Sequence, residues 1–135
     1  MKKIVTLLLT LMLLACTTPA TKENAPTEQA PMESTADVTF TLTGENFKFV
    51  MDGKDNPTLR VKQGERVRIA FTSTQGLHDW VLDEYSIATE RVRDPNSTSL
   101  AFIADKAGTF EYYCSVGKHR ANGMKGLFIV EAQLP

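Results

Sequence analysis

Cysteine and histidine are both scarce in this chain of 135 residues, with two of each. That count excludes a disulfide framework, which needs several paired cysteines. It also leaves no surplus scattered at random, so the placement of each one is informative. Charge of one sign is lacking too: 15 Lys and Arg against 16 Asp and Glu give a formal net charge of -1. A nucleic-acid partner, which usually needs a basic stripe, is not expected. No apolar run reaches the roughly 20 residues of a membrane-spanning helix. A long 3.6-period segment is missing as well, which argues against a helical bundle. What remains is 42% hydrophobic and 23% charged residues, a globular composition in a length that allows one folded domain.

The chain opens with Met1-Lys2-Lys3 and an apolar run from Ile4 to Ala15, interrupted by Thr6 and Thr10. A cationic start followed by a short apolar core is an export signal. Its end, Leu13-Leu14-Ala15-Cys16, resembles a bacterial lipoprotein box. That resemblance implies cleavage after residue 15 and a diacylglyceryl group on Cys16, and two or more acyl chains anchor stably where one is marginal. Thr17, rather than Asp, follows the cysteine. In a bacterium with two membranes the pattern then favours the outer membrane, and in any case an extracytoplasmic location. Residues 17–36 are rich in Thr, Pro, Ala and Glu without apolar periodicity, and read as a flexible tether. The expected organisation is a signal over 1–15, lipidated Cys16 and linker over 16–36, and a folded domain over 37–135.

From residue 37 onward the period becomes two. Val38, Phe40 and Leu42 alternate with Thr39 and Thr41; Phe47 and Phe49 continue the pattern; Val67, Ile69 and Phe71 alternate after Gln63-Gly64-Glu65. Leu59 and Val61, Trp80 and Leu82, Leu100 and Phe102, and Phe110, Tyr112 and Cys114 mark further strands, and Leu127 to Val130 reads as a last one, apolar on both faces. Tyr85 to Arg93 has room for a helical turn. Seven or eight short strands in about a hundred residues predict an all-β, antiparallel sandwich.

The informative segment runs from Tyr112 to Gly126. Cys114, His119 and Met124 stand at intervals of five, and Gly117, Gly123 and Gly126 give the backbone freedom to fold three side chains onto one point. His78 lies far upstream, in a turn that a sandwich can bring to the same end. Cys114 has no disulfide partner once Cys16 carries lipid, and a lone thiol in an oxidising compartment needs something to occupy it. Any one of these residues alone would be ordinary packing or surface. Together, two imidazoles, one thiolate and a weak axial thioether suit copper. The thiolate gives covalency and a path for an electron, and the set serves both oxidation states in nearly one geometry.

These residues resemble the cupredoxins, the blue-copper family of plastocyanin, azurin and auracyanin. The resemblance covers about residues 38–132, through the Pro57-to-Phe71 stretch, the Ala104-to-Cys114 approach and a C-x4-H-x4-M loop closer to azurin and auracyanin than to plastocyanin. It implies a Greek-key β-sandwich or barrel of seven to eight strands. It also implies one type 1 copper ion with His78, Cys114 and His119 equatorial and Met124 axial. His78 would be buried, and His119 would sit near the surface in an apolar patch where redox proteins dock. One departure stands out. Where the family often has Asn after the upstream histidine, this chain has Asp79, which can accept hydrogen bonds from backbone N–H groups or from Ser115 but cannot donate. A carboxylate there is expected to favour Cu(II) and lower the potential. Lys118, Arg120 and Lys125 rim the loop, as plain solvation or as a positive collar that steers an acidic partner.

Function follows as an expectation: a tethered electron carrier, monomeric, with no substrate turned over. A copper-delivery module would use exposed Met and His clusters, but Met32 and Met51 stand apart and no histidine is spare. An enzyme would need an open coordination position or further histidines. Zinc is conceivable at the same site as a misloaded form.

Overall fold

Alternation builds the first strand as expected. In Val38–Glu45 (β1), Val38, Phe40 and Leu42 turn inward while Thr39 and Thr41 face solvent. The computed structural model describes residues 38–133; the signal segment, Cys16 and the tether lie outside the described residues. The remaining strands in chain order are Lys48–Met51 (β2), Lys54–Asp55 (β3), Leu59–Lys62 (β4), Arg66–Ser73 (β5), Leu77–His78 (β6), Val81–Leu82 (β7), Ile87–Ala88 (β8), Val92–Arg93 (β9), Ser97–Ile103 (β10), Gly108–Tyr113 (β11) and Lys125–Glu131 (β12). Seven of them have four or more residues, which matches the seven to eight expected; the other five are two-residue pieces.

Two five-stranded sheets form, in the orders β10-β5-β1-β2-β3 and β4-β12-β11-β7-β8, with β6 and β9 paired as a separate ribbon. The sandwich is not wholly antiparallel. β1 runs parallel to β5, and β4 parallel to β12. The reason is the path of the chain: it leaves the first sheet after β3, adds β4 to the second, and returns as β5 beside β1. Such a crossover between sheets yields parallel neighbours where a hairpin cannot.

The inward faces meet in one core. Leu42, Phe49, Ile69 and Phe71 come from the first sheet, and Leu59, Val61, Leu82, Tyr112, Phe128 and Val130 from the second. Trp80 is fully buried between them, stacked on Tyr112 at 5.6 Å and edge-on to Phe128 at 6.5 Å. Burying a ring such as Phe71 is worth about 1.5–3 kcal/mol, so this aromatic layer is a large share of the stability. Trp80 stands two residues after His78, and Tyr112 two residues before Cys114, so the layer adjoins the segments that carry them.

Three local expectations are corrected. Phe47 does not alternate in a strand. With Asn46 it forms the two-residue turn between β1 and β2, both at positive φ (41° and 62°), the backbone twist that tight hairpins favour. The ring therefore stays 46% exposed. The helical turn lies at Asp83–Tyr85, ending on Ser86 at φ 54°, while β8 and β9 occupy the stretch after Tyr85. In β12 only Phe128 and Val130 are buried, and Leu127 is 44% exposed.

Candidate metal centre

His78 ends β6, and its backbone register opposite Val92 of β9 holds it at one end of the sandwich. The turn before it is tied down by side chains. Ser73 Oγ–H donates to the Gly76 carbonyl at 2.8 Å, and the Gly76 N–H donates to Asp94 Oδ1 at 3.1 Å. Gly44 of β1 passes directly behind. A Cβ at Gly44 would lie 2.6 Å from Phe71 Cζ and 3.2 Å from His78 Cβ, so only glycine lets the strand approach this closely.

The loop between β11 and β12 supplies the rest. The Cys114 N–H donates to the Met124 carbonyl at 3.1 Å, and the Met124 N–H to the His119 carbonyl at 3.0 Å. The three residues spaced by five are thus stitched to one another through the backbone. Gly123 at φ 102° turns the chain before Met124, a conformation that disfavours any side chain. Its carbonyl accepts from Asn56 Nδ2 at 3.0 Å, and Asn56 Oδ1 accepts from the Phe49 N–H at 3.0 Å. Asn56 anchors the loop to β2, and nothing in the sequence pattern singled it out.

The folded chain brings His78, Cys114 and His119 together, with all ligand atoms within 4.8 Å of one another. The Nδ1 atoms of the two histidines are 3.1 Å apart; Cys114 Sγ lies 3.8 Å from His78 Nδ1 and 3.4 Å from His119 Nδ1. The centre of the circle through these atoms falls inside their triangle, about 2.0 Å from each, close to the roughly 2.0–2.3 Å of metal–imidazole and metal–thiolate bonds. His78 Nε2 sits 2.6 Å from the Gln75 carbonyl, which can only accept. The ring proton is therefore on Nε2, which leaves Nδ1, the atom nearest Cys114 and His119, with its lone pair free. Met124 is fully buried in the same loop, bonded through its backbone to both Cys114 and His119.

Burial separates the two histidines, as the resemblance implied. His78 is 2% exposed. His119 is half-buried, and its ring meets exposed Phe47 edge-on at 4.9 Å. A shallow cavity of about 240 Å³ opens there, with Phe47, Leu77 and Val116 on its walls beside both rings. Burial foremost, then the neighbouring His78, pulls the His119 pKa below its ordinary value, which keeps a lone pair available. Burial pushes the Cys114 thiol up to about 11; backbone N–H groups of Asp79 and Val116 pull it partly back.

Asp79 is buried and does what its acceptor-only chemistry allows. Oδ1 accepts the Ser115 N–H at 2.7 Å, and Oδ2 accepts the Ser115 hydroxyl at 2.5 Å. The residue next to one histidine is thus joined to the residue next to the cysteine. Of the three rim cations, two are engaged. Arg120 and Lys125 both pair with Glu111, at 2.8 and 3.0 Å, and the Arg120 guanidinium stacks over Tyr113 at 3.7 Å. Lys118 is exposed.

Two imidazoles and a thiol whose donor atoms converge on one point are a soft set that suits copper better than Mg²⁺, Ca²⁺ or Mn²⁺. No family model matches the chain. Among solved structures the fold is similar to auracyanin A, a "blue" copper protein from the green thermophilic photosynthetic bacterium Chloroflexus aurantiacus. The TM-score is 0.59 and the identity 21%, over 71% of this chain and 100% of that one. Rusticyanin from Thiobacillus ferrooxidans gives 0.59 and 27% over 70% and 77%. Copper nitrite reductase from Nitrosomonas europaea gives 0.61 and 23%, over 74% of this chain but 45% of that one. The chain has the cupredoxin fold, the fold of the blue copper proteins, with its two histidines and its buried cysteine gathered at one end.

Proposed function

We propose that the chain is an electron carrier holding one type 1 copper ion through His78, Cys114 and His119, with Met124 as the weak axial ligand. The observation that carries this is the triangle of Nδ1, Nδ1 and Sγ atoms whose common centre stands at bonding distance from all three. Copper, when bound, supplies a one-electron couple between Cu(II) and Cu(I). The chain's own residues do the rest. Gln75 fixes the His78 tautomer, burial of Cys114 and Met124 keeps water out, and the half-buried His119 is the point of exchange with a partner. Phe47, Leu77 and Val116 give that point an apolar surround, on which a redox protein docks.

Both histidines of the chain are spent on this one cluster. None is left for a second copper. We therefore read the chain as a carrier rather than an enzyme, although the same fold occurs within a nitrite reductase. Its place is extracytoplasmic, tethered to a membrane through lipid on Cys16 and the linker that follows.

An absorption and EPR spectrum of the copper-loaded domain tests the centre. An intense visible band from thiolate-to-copper charge transfer, with a small copper hyperfine splitting, is expected; a colourless oxidised protein retaining stoichiometric copper would overturn the reading. Fractionation of cells expressing the full chain tests the anchor. Cys16→Ala should move the protein out of the membrane fraction, and an unchanged distribution would refute lipidation there.

A further inference from the structure

The carboxylate of Asp79 is buried, its side chain 3% exposed, and a buried charge needs an opposite one. The partner is Arg91. Its Nε–H donates to Asp79 Oδ2 at 3.3 Å, and its Nη2–H donates to Ser115 Oγ at 2.9 Å. The Ser115 hydroxyl in turn donates to Asp79 Oδ2. The three side chains close a ring with one consistent direction: the hydroxyl accepts from the arginine and donates to the carboxylate. The backbone sets the ring up. Because His78 pairs with Val92, residue 91 lies beside residue 79, and the Trp80 N–H donating to Thr89 Oγ1 at 3.0 Å holds the approach of that segment. The Arg91 side chain is 60% exposed, so it reaches in from the surface and is not part of the core.

We infer that Arg91 is a positioning residue for the copper centre: it neutralises the buried Asp79 carboxylate and, through Ser115, clamps the His78 segment to the Cys114 loop. This rests on the proposed copper site. It changes the expectation drawn from Asp79 alone. A bare carboxylate beside His78 favours Cu(II), but the guanidinium opposes that field, so the potential is set by the pair. Arg91 suits the task because its planar fork reaches the carboxylate and the hydroxyl at once, which the single ammonium of lysine cannot do.

Two measurements on Arg91→Gln, Arg91→Lys, Asp79→Asn and the Asp79→Asn/Arg91→Gln double variant test it. On copper-loaded protein, the midpoint potential of Arg91→Gln falls below wild type, while Arg91→Lys, which keeps the charge, stays near it. On metal-free protein, Arg91→Gln lowers the urea midpoint in the wild-type background and leaves it nearly unchanged in the Asp79→Asn background, where no buried charge remains. A potential for Arg91→Gln equal to or above wild type overturns the inference, and so does an equal loss of stability in both backgrounds. Failure of the underlying copper reading looks different: the wild-type protein itself then shows no thiolate-to-copper band, while the metal-free comparison still reports on the clamp.

Discussion

Loading the centre with a divalent ion should release one proton, and the affinity should climb about tenfold per pH unit from neutrality up to about pH 11. Cys114 can bind an ion only as its thiolate, yet burial holds the free thiol protonated up to about 11. At pH 7 that is about four pH units of uphill ionisation, about 5.4 kcal/mol subtracted from the intrinsic binding energy. His119 adds no proton above neutrality, because its pKa is pulled below the ordinary imidazole value. Zinc is a suitable probe, since it takes thiolate and imidazole without redox chemistry. Calorimetry in two buffers of different ionisation enthalpy counts the protons, and chelator competition from pH 7 to 10 gives the slope. Cys114→Ala should bind more weakly and lose the slope. A flat affinity profile in the parent domain would refute the argument, and so would a slope that survives in Cys114→Ala. The metal-free protein carries the same information in its stability. A folded-state pKa raised above the unfolded value stabilises fully below the unfolded pKa and is lost as pH rises toward the folded one. Between about pH 8.5 and 11 the domain should therefore lose about 3 kcal/mol that Cys114→Ala does not lose.

Gly126→Ala should destabilise the domain by about 2–6 kcal/mol in a urea titration. Its Cβ would lie 2.4 Å from Tyr112 Cζ, and the displaced ring would break the 2.6 Å bond from Tyr112 Oη–H to the Pro57 carbonyl; an unchanged midpoint would count against the packing described. Met124→Ala should cost about 2–5 kcal/mol through the cavity it leaves, and Met124→Leu less than about 1.5. Both should shift the visible spectrum of copper-loaded protein, and an unaltered spectrum would remove Met124 from the ligand set. Glu111→Gln should change stability by no more than about 1 kcal/mol, since its pairs are partly exposed. Lys125, and then Arg120, hold the Glu111 pKa below the ordinary carboxylate value. The contribution is therefore present above the unfolded pKa near 4.3 and fades as pH falls through the folded one. A difference between parent and variant that grows on acidification would contradict this.

The parts of the site legible in the sequence were those whose residue type is itself the signal. A thiol, two imidazoles and a thioether carry their chemistry wherever they stand, and the interval of five could be read without coordinates. The strands were legible for a related reason, because burial on one face imposes a period of two, as in Val38, Phe40 and Leu42. Phe47 shows where that logic fails. It continues the alternation of apolar residues, yet the turn that joins β1 to β2 claims it, and an aromatic ring left at positive φ lands on His119 instead of in the core. Local period cannot reveal a hairpin that long-range pairing decides. The parallel pairings of β1 with β5 and β4 with β12 were hidden for the same reason.

The residues that support the ligands were the least legible, and the cause is chemical. Asn56 and Arg91 are ordinary surface residue types, and each matters through a partner elsewhere in the chain: Gly123 for one, Asp79 and Ser115 for the other. Asp79 did carry a warning. Its side chain can only accept, and a carboxylate buried beside His78 has to find a cation. The sequence offers fifteen lysines and arginines and no rule for choosing among them. The β6–β9 register chooses, by setting Val92 opposite His78 and so bringing the next residue along to the carboxylate. A buried carboxylate such as Asp79 is therefore best judged together with the strand that pairs beside it, because that strand determines which counter-charge arrives.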